Sequence, residues 1–155
     1  CAMHSYRIGP PATPAAAGSE RAAWFEYLGV QSSGHGPKLP IIVGFSGEQS
    51  AIVRGFAEWT TGPEELYDNI QIYPTATVLV RGKQLVKENE SDYAVVWTND
   101  YHGTRVFSTT LGHTDETVSD ARYLDLVARG LLWACKKLDD AGQPVPGYGP
   151  AAAKQ

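Results

Sequence analysis

Four short segments of the chain have the apolar and β-branched composition of strands: "IIVGF" (41–45), "TATVLVRG" (75–82), "DYAVVWTN" (92–99) and "GTRVFSTTLG" (103–112). Only residues 100–102 separate the last two segments, and Gly103 opens the second of them. Two strand-like runs joined by so short a polar segment are typical of a β-hairpin. The sequence therefore predicts several strands, with a hairpin in the second half of the chain.

A helical pattern follows Ser19, in the segment "ERAAWFEYLG". Ser19 is a capping residue, an acid lies in the first turn, and Gly29 is a stop signal. Trp24, Tyr27 and Leu28 are spaced as on one face of a short helix. This spacing predicts that these three apolar residues form the face that packs on the rest of the protein.

A longer helix is predicted from about residue 118 to about residue 138. Its apolar positions follow a spacing of three and four: Leu124, Val127, Ala128, Leu131, Cys135 and Leu138. About 20 residues at 1.5 Å each span about 30 Å, which is enough to cover one face of a sheet. Cys135 lies on this predicted face, so we expect a buried and chemically inert thiol.

Strands mixed with helices predict an α/β architecture with a helix packed on a sheet. The chain of 155 residues has the length of one domain. Residues 8–19 and 139–155 are rich in proline, glycine and small residues, which predicts a loop and an irregular tail.

The charge balance excludes two classes of partner. The net charge is −4, and lysine and arginine do not cluster, which argues against binding to nucleic acid or to an anionic membrane surface. No apolar run approaches the roughly 20 residues of a membrane helix.

The chain begins with Cys1 rather than Met, so we expect the true start to lie upstream. The sequence does not distinguish a cytoplasmic from a periplasmic location.

The first candidate for chemistry is His113, in "STTLGHTDET", where a predicted strand gives way to a predicted helix. Polar groups at strand ends are where α/β folds commonly place their sites. Gly112 allows an unusual backbone angle beside the histidine, and Asp115 and Glu116 are close enough to orient an imidazole. Thr114 or Asp115 is also expected to cap the helix. A cap needs no histidine, so both interpretations can hold together.

Other candidates are weaker when each is taken alone. Cys1 and His4 place a thiol near an imidazole, and His35 lies between two glycines that would let a ligand approach. His102, at the predicted hairpin tip, is expected to be exposed. Trp97 is a candidate for packing against a sugar ring, although a tryptophan on a strand is more often part of the core.

Two adjacent acids, Glu64 and Glu65, follow Pro63 and precede Tyr67. A proline before acids suits the first turn of a short helix or a bend. The two acids are expected to point in different directions, so at most one of them would face a pocket. The alternative is that both belong to a solvated helix start.

Three segments together carry a family resemblance: "WFEYLGVQSSGHGP" (24–37), "EELY" (64–67) and "YAVVWTNDYHGTRVFSTTLGHTDETVSDARYLDLVARGLLWAC" (93–135). In this order they closely resemble the trehalose-utilisation (ThuA-like) family. The resemblance implies a flavodoxin-like α/β fold of the class I glutamine amidotransferase type, with a sheet and flanking helices. It also implies that residues 1–138 form a partial domain lacking its amino-terminal strands, and that residues 139–155 form a tail.

The resemblance further implies roles for individual residues. Class I amidotransferases pair an elbow cysteine with a His-Pro-Glu motif, and Cys1, His113 and Glu116 are similar in position, with Thr114 in place of proline. The motifs of the ThuA-like family match five residues here: His4, His35, Glu65, Tyr67 and His113. Three imidazoles and a carboxylate are also a set that could hold zinc or a similar divalent ion.

The resulting hypothesis is a sugar-metabolism protein acting on a trehalose-related or keto-disaccharide by hydrolysis or isomerisation. His113 would be the general acid and base, assisted by Glu65 and His4, with Tyr67, His35 and Trp97 contacting a small-molecule sugar. Two alternatives are a non-catalytic carbohydrate-binding or regulatory module and a Cys1-dependent amidohydrolase. A homo-oligomer is compatible with all three hypotheses.

Overall fold

The computed structural model describes residues 13–45 and 50–149. Its first element is α1 (Glu20–Leu28), which confirms the helix predicted after Ser19. The Ser19 side chain accepts a hydrogen bond from the Ala22 N–H at 3.1 Å, and Gly29 ends the helix in the left-handed region with φ 88°. Its buried residues are Ala22, Phe25 and Leu28. Only Leu28 belongs to the face predicted from the sequence.

Five strands form the main sheet: β2 (His35–Phe45), β3 (Trp59–Tyr67), β5 (Ala76–Val86), β6 (Asn89–Tyr101) and β7 (Thr104–Thr109). Their order is β3-β2-β5-β6-β7, with β3 and β7 at the two edges. Two short strands, β1 (Val30–Gln31) and β4 (Gln71–Ile72), pair with each other. The α/β class is confirmed. Every strand pair in the described ranges is antiparallel. This antiparallel pairing does not confirm the flavodoxin-like arrangement, which stays a prediction.

The hairpin predicted around residues 100–103 is confirmed. Strands β6 and β7 pair from Val96↔Thr109 to Tyr101↔Thr104. His102 and Gly103 both have positive φ, at 51° and 81°, as a two-residue turn of type I′ requires. Gly103 therefore belongs to the turn and does not open the second strand. His102 is exposed, as predicted.

The helix or bend predicted at Pro63 is wrong, because Pro63, Glu64 and Glu65 lie within strand β3. A proline donates no backbone hydrogen bond, so within a sheet it is tolerated mainly on an edge strand. Strand β3 is such an edge, and Pro63 lies opposite Pro40 of β2. The preference of proline for helix starts was therefore outweighed by its tolerance at a sheet edge.

The predicted carboxy-terminal helix is shorter and is divided into α2 (Asp115–Val118) and α3 (Ala121–Ala134). The predicted buried face is wrong, since Leu124 and Leu131 are 53% and 63% exposed. Cys135 is exposed as well. The helix instead buries Leu126 and Gly130. A Cβ atom at Gly130 would overlap the Phe107 ring, so this close approach selects the face that packs on the sheet.

Buried side chains form two clusters. The larger joins the sheet to α3 and includes Ile41, Leu66, Val95 and Leu126. The smaller lies under α1 and includes Phe25 and Trp97. Residues 139–149 fold back on the end of α3, where the Val145 N–H donates to the Lys137 carbonyl at 2.9 Å. No helix in the described ranges is long and apolar enough to cross a membrane.

Candidate functional site

The Oε2 atom of Glu65 is the centre of a polar cluster. It lies 3.3 Å from Nδ1 of His113 and 3.6 Å from Nε2 of His35. The Tyr67 hydroxyl donates a hydrogen bond to the same oxygen at 3.1 Å. Glu65 is buried. One shielded carboxylate oxygen therefore contacts two imidazoles and a phenol.

The sheet and one loop bring these four side chains together. Glu65 and Tyr67 are two residues apart on β3, so their side chains point to the same side of the strand. His35 opens β2 opposite Tyr67, and the centroids of the two rings are 5.1 Å apart. His113 comes from the loop between β7 and α2. The structure thus joins four of the residues that the family resemblance singled out.

The orientation of His35 is fixed from its other ring nitrogen. Nδ1 of His35 lies 2.8 Å from the Gly36 carbonyl oxygen, which accepts from a proton on that nitrogen. Nε2 is then the atom that faces Glu65. Asp68 holds the turn that precedes His35. Its carboxylate accepts from the Ser33 N–H at 2.6 Å and from the Ser32 hydroxyl at 2.7 Å. Burial raises the pKa of Asp68, but hydrogen bonds from Ser33, Ser32 and the backbone outweigh it and lower the pKa below its ordinary value.

Glu64 is a site residue that the sequence analysis did not identify. Its side chain is fully buried. The two carboxylate oxygens accept from the His113 N–H at 2.9 and 3.0 Å, and one of them also accepts from the Thr114 N–H at 3.2 Å. The neighbouring acids of β3 therefore both bind residue 113, one through its backbone and the other through its imidazole. The pair of acids was visible in the sequence, but a contact with a backbone amide leaves no sequence signal.

The turn that carries His113 has the features expected from its residues. Thr114 is the N-cap of α2, and its hydroxyl accepts from the Thr117 N–H at 3.4 Å. Gly112 has φ 103°, which confirms the unusual backbone angle. A Cβ atom at Gly112 would overlap the Tyr123 hydroxyl, so glycine is also needed for this contact.

Glu116 was predicted to orient His113, and its carboxylate lies against Gly62 of β3 instead. Within the described ranges, His113 forms its ion pair with Glu65. Glu116 itself is exposed. The orienting carboxylate is therefore supplied by the strand opposite the loop rather than by the helix that follows the histidine.

His113 borders a cavity of about 390 Å³ that is lined by Tyr67, Thr109, Thr110, Leu111, Gly112, His113 and Tyr123. The imidazole is 34% exposed, and no described residue hydrogen-bonds its Nε2 atom. Burial raises the pKa of Tyr123, and the negative charge of Glu64 raises it further. The Tyr123 hydroxyl lies at one side of the cavity and donates to the Leu111 carbonyl at 3.4 Å.

Another predicted site residue, Trp97, lies away from this cluster. Trp97 is fully buried in the cluster under α1, where its Nε1 donates to the Leu28 carbonyl at 2.7 Å. Its predicted contact with a sugar is therefore wrong, because the strand position of Trp97 faces the core. Cys1 and His4 lie outside the described residues.

The predicted metal set includes His4, so the described ranges contain only three of its members: His35, Glu65 and His113. No group of three or more histidine, cysteine, aspartate or glutamate side chains in those ranges has an arrangement that could hold a metal ion. The divalent-ion site stays a prediction.

The comparison with protein families gives a match over most of the chain. A family model described as ThuA, trehalose utilisation, matches residues 12–134. This range contains the whole cluster around Glu65 and the cavity beside it. No curated protein and no solved structure gives a significant match.

Proposed function

The chain belongs to the ThuA (trehalose utilisation) family, and from this premise we propose that it is an enzyme acting on trehalose-related or keto-disaccharides. His113 is the general acid and base in this proposal. The supporting observation is the buried Oε2 atom of Glu65, which lies 3.3 Å from Nδ1 of His113, a residue that also lines the cavity.

The Glu65 carboxylate gives the imidazole a defined role. A carboxylate beside Nδ1 favours the tautomer with the proton on that nitrogen, which leaves the lone pair of Nε2 for the substrate. The same negative charge stabilises the imidazolium that forms when Nε2 takes up a proton. Tyr67 donates to the same carboxylate oxygen and helps to hold it in place.

Isomerisation of a keto-sugar that carries a hydroxyl beside its carbonyl begins with such a base. Nε2 removes a proton from the carbon beside the carbonyl, and the C–H electron pair forms the double bond of an enediolate. The charge moves to the former carbonyl oxygen, to which the Tyr123 hydroxyl would donate in place of the Leu111 carbonyl. A proton then passes from the hydroxyl of the enediolate to the former carbonyl oxygen, and return of the first proton from Nε2 to the former carbonyl carbon gives the isomer. Hydrolysis would use the same Nε2 atom to take a proton from water.

Proton exchange tests the proposal without knowledge of the product. The full protein is incubated in deuterated water with a keto derivative of trehalose, and deuterium beside the carbonyl is followed by NMR. We expect exchange with the wild type and a loss of about 10²- to 10⁴-fold in His113→Gln. His102→Asn is the matched control, because it replaces an exposed histidine and asparagine tolerates positive φ.

Two other outcomes separate this proposal from its alternatives. Sugar binding with neither exchange nor hydrolysis in the wild type would indicate a carbohydrate-binding module instead. Binding of a stoichiometric divalent ion, measured by elemental analysis of the full protein, would support the predicted ligand set of His4, His35, Glu65 and His113 and change the role of His113 from base to ligand.

A further inference from the structure

Thr110 carries a buried hydroxyl that makes no hydrogen bond to any described residue. The residue is 5% exposed, and its Oγ1 atom is buried without a partner in residues 13–45 and 50–149. The backbone is held, since the Thr110 N–H donates to the Val95 carbonyl at 3.0 Å. The hydroxyl is therefore unpaired on a residue whose main chain is fixed.

An unpaired buried hydroxyl destabilises a fold, so it calls for an explanation. Thr110 lines the cavity beside His113. Other described residues with a comparable unpaired atom, such as Asn99 and Tyr73, do not line that cavity. Polar groups without a hydrogen-bond partner tend to occur at functional sites, where a ligand completes the missing contact.

We infer that Thr110 is a specificity-determining residue whose hydroxyl hydrogen-bonds a hydroxyl or carbonyl oxygen of the sugar. The inference rests on the proposed function for the location of the substrate. A rotation of about 120° around χ1 moves the hydroxyl of threonine to the position of its methyl group or of its Cβ hydrogen, and so can turn the hydroxyl toward the cavity without moving the backbone. A site that hydrogen-bonds a substrate oxygen discriminates strongly against the analogue that lacks it.

Thr110→Val tests the inference because it removes the hydroxyl and keeps the shape of the side chain. Without sugar, we expect the melting temperature to rise by about 2 °C, since a buried unpaired group has been removed. With a keto-disaccharide, we expect affinity measured by calorimetry to fall about three- to tenfold. Thr110→Ser keeps the hydroxyl and should retain the affinity.

Thr109→Val is the matched control for stability. Thr109 is the adjacent threonine, but its hydroxyl accepts from the Leu111 N–H at 3.2 Å, so its loss should lower the melting temperature. Unchanged sugar affinity in Thr110→Val would overturn the inference. So would a fall in its melting temperature like that of Thr109→Val, because the hydroxyl would then have a partner in the free protein.

The binding arm is run in the His113→Gln background as well as in the wild type. Failure of the proposed acid–base chemistry removes turnover but leaves these affinities measurable, so the two failures are distinguishable. Absence of any sugar binding by the wild type would overturn both.

Discussion

Glu64 and Glu65 are neighbours on one strand, and both bind residue 113, but they differ in what they hold. Glu64 is fully buried and accepts hydrogen bonds from backbone N–H groups of the His113 turn. Glu65 contacts the imidazole itself, together with His35 and Tyr67. The alternation of a β-strand separates the two roles, because successive side chains leave the strand on opposite sides.

This difference divides the site into a fixed part and a reactive part. A backbone clamp sets where the Cα atom of His113 lies, whatever the protonation state of its ring. A carboxylate beside Nδ1 acts on the ring and on its charge. The comparison therefore predicts that the two acids respond in opposite ways when each is replaced by its amide.

Glu65→Gln should have the largest effect on activity. The amide keeps the size of the side chain but removes the charge that stabilises an imidazolium at His113. We expect proton exchange at a keto-sugar to fall about 10³-fold, with little change in stability. Glu116→Gln is the control, since that carboxylate is exposed and lies against Gly62. Similar losses in both variants would contradict the role of Glu65.

Glu64→Gln should instead lower stability clearly and activity only moderately. The amide nitrogen is a donor and would face N–H groups that need an acceptor, so one buried hydrogen-bonding site is lost. We expect the free energy of unfolding to fall by about 2 kcal/mol in denaturant titration, with a loss of activity of about tenfold at unchanged KM. Glu88→Gln replaces an exposed acid and should be neutral.

An amide spectrum makes the second prediction independent of turnover. The His113 and Thr114 N–H resonances should shift in Glu64→Gln and stay close to their wild-type positions in Glu65→Gln. A stable Glu64→Gln variant with unshifted amides would show that the carboxylate does not clamp the turn.

The elements predicted well from sequence are those whose signals are local. The Ser19 cap with its Gly29 stop and the β6–β7 hairpin each depend on residues close together in the chain, and the structure contains both. The rotation of α3 could not be predicted in this way. It depends on the contact of Gly130 with Phe107, and both faces of the helix carry apolar residues.

The site residues also differ in whether a local sequence signal identifies them. His113 and His35 were candidates from their local sequence, but only the family resemblance grouped them with Glu65 and Tyr67. No spacing in the sequence joins residues so far apart. The Glu64 clamp was missed for a physical reason: its partners are backbone N–H groups, which every residue but proline carries. Thr110 was missed because an unpaired hydroxyl is defined only by its surroundings.

The smallest expected effect concerns Asp68, which anchors the turn before His35 rather than a reactive group. Hydrogen bonds lower the pKa of Asp68 below its ordinary value near 3.8. A carboxyl with a lowered pKa adds stability above its unfolded-state pKa, and this contribution is lost as the pH falls through the lower, folded-state value. Asp68→Asn should therefore leave a protein whose stability falls less steeply on acidification below about pH 4. Melting temperatures of the wild type and the variant between pH 2 and pH 6 measure this difference, with Asp140→Asn as an exposed control. Because the same hydrogen bonds hold the turn of His35, the variant should also raise KM a few fold without changing kcat. If the melting temperatures of the wild type and the variant fell in parallel on acidification, the Ser32 and Ser33 contacts would not favour the charged carboxylate. His35 would then be held by the sheet alone.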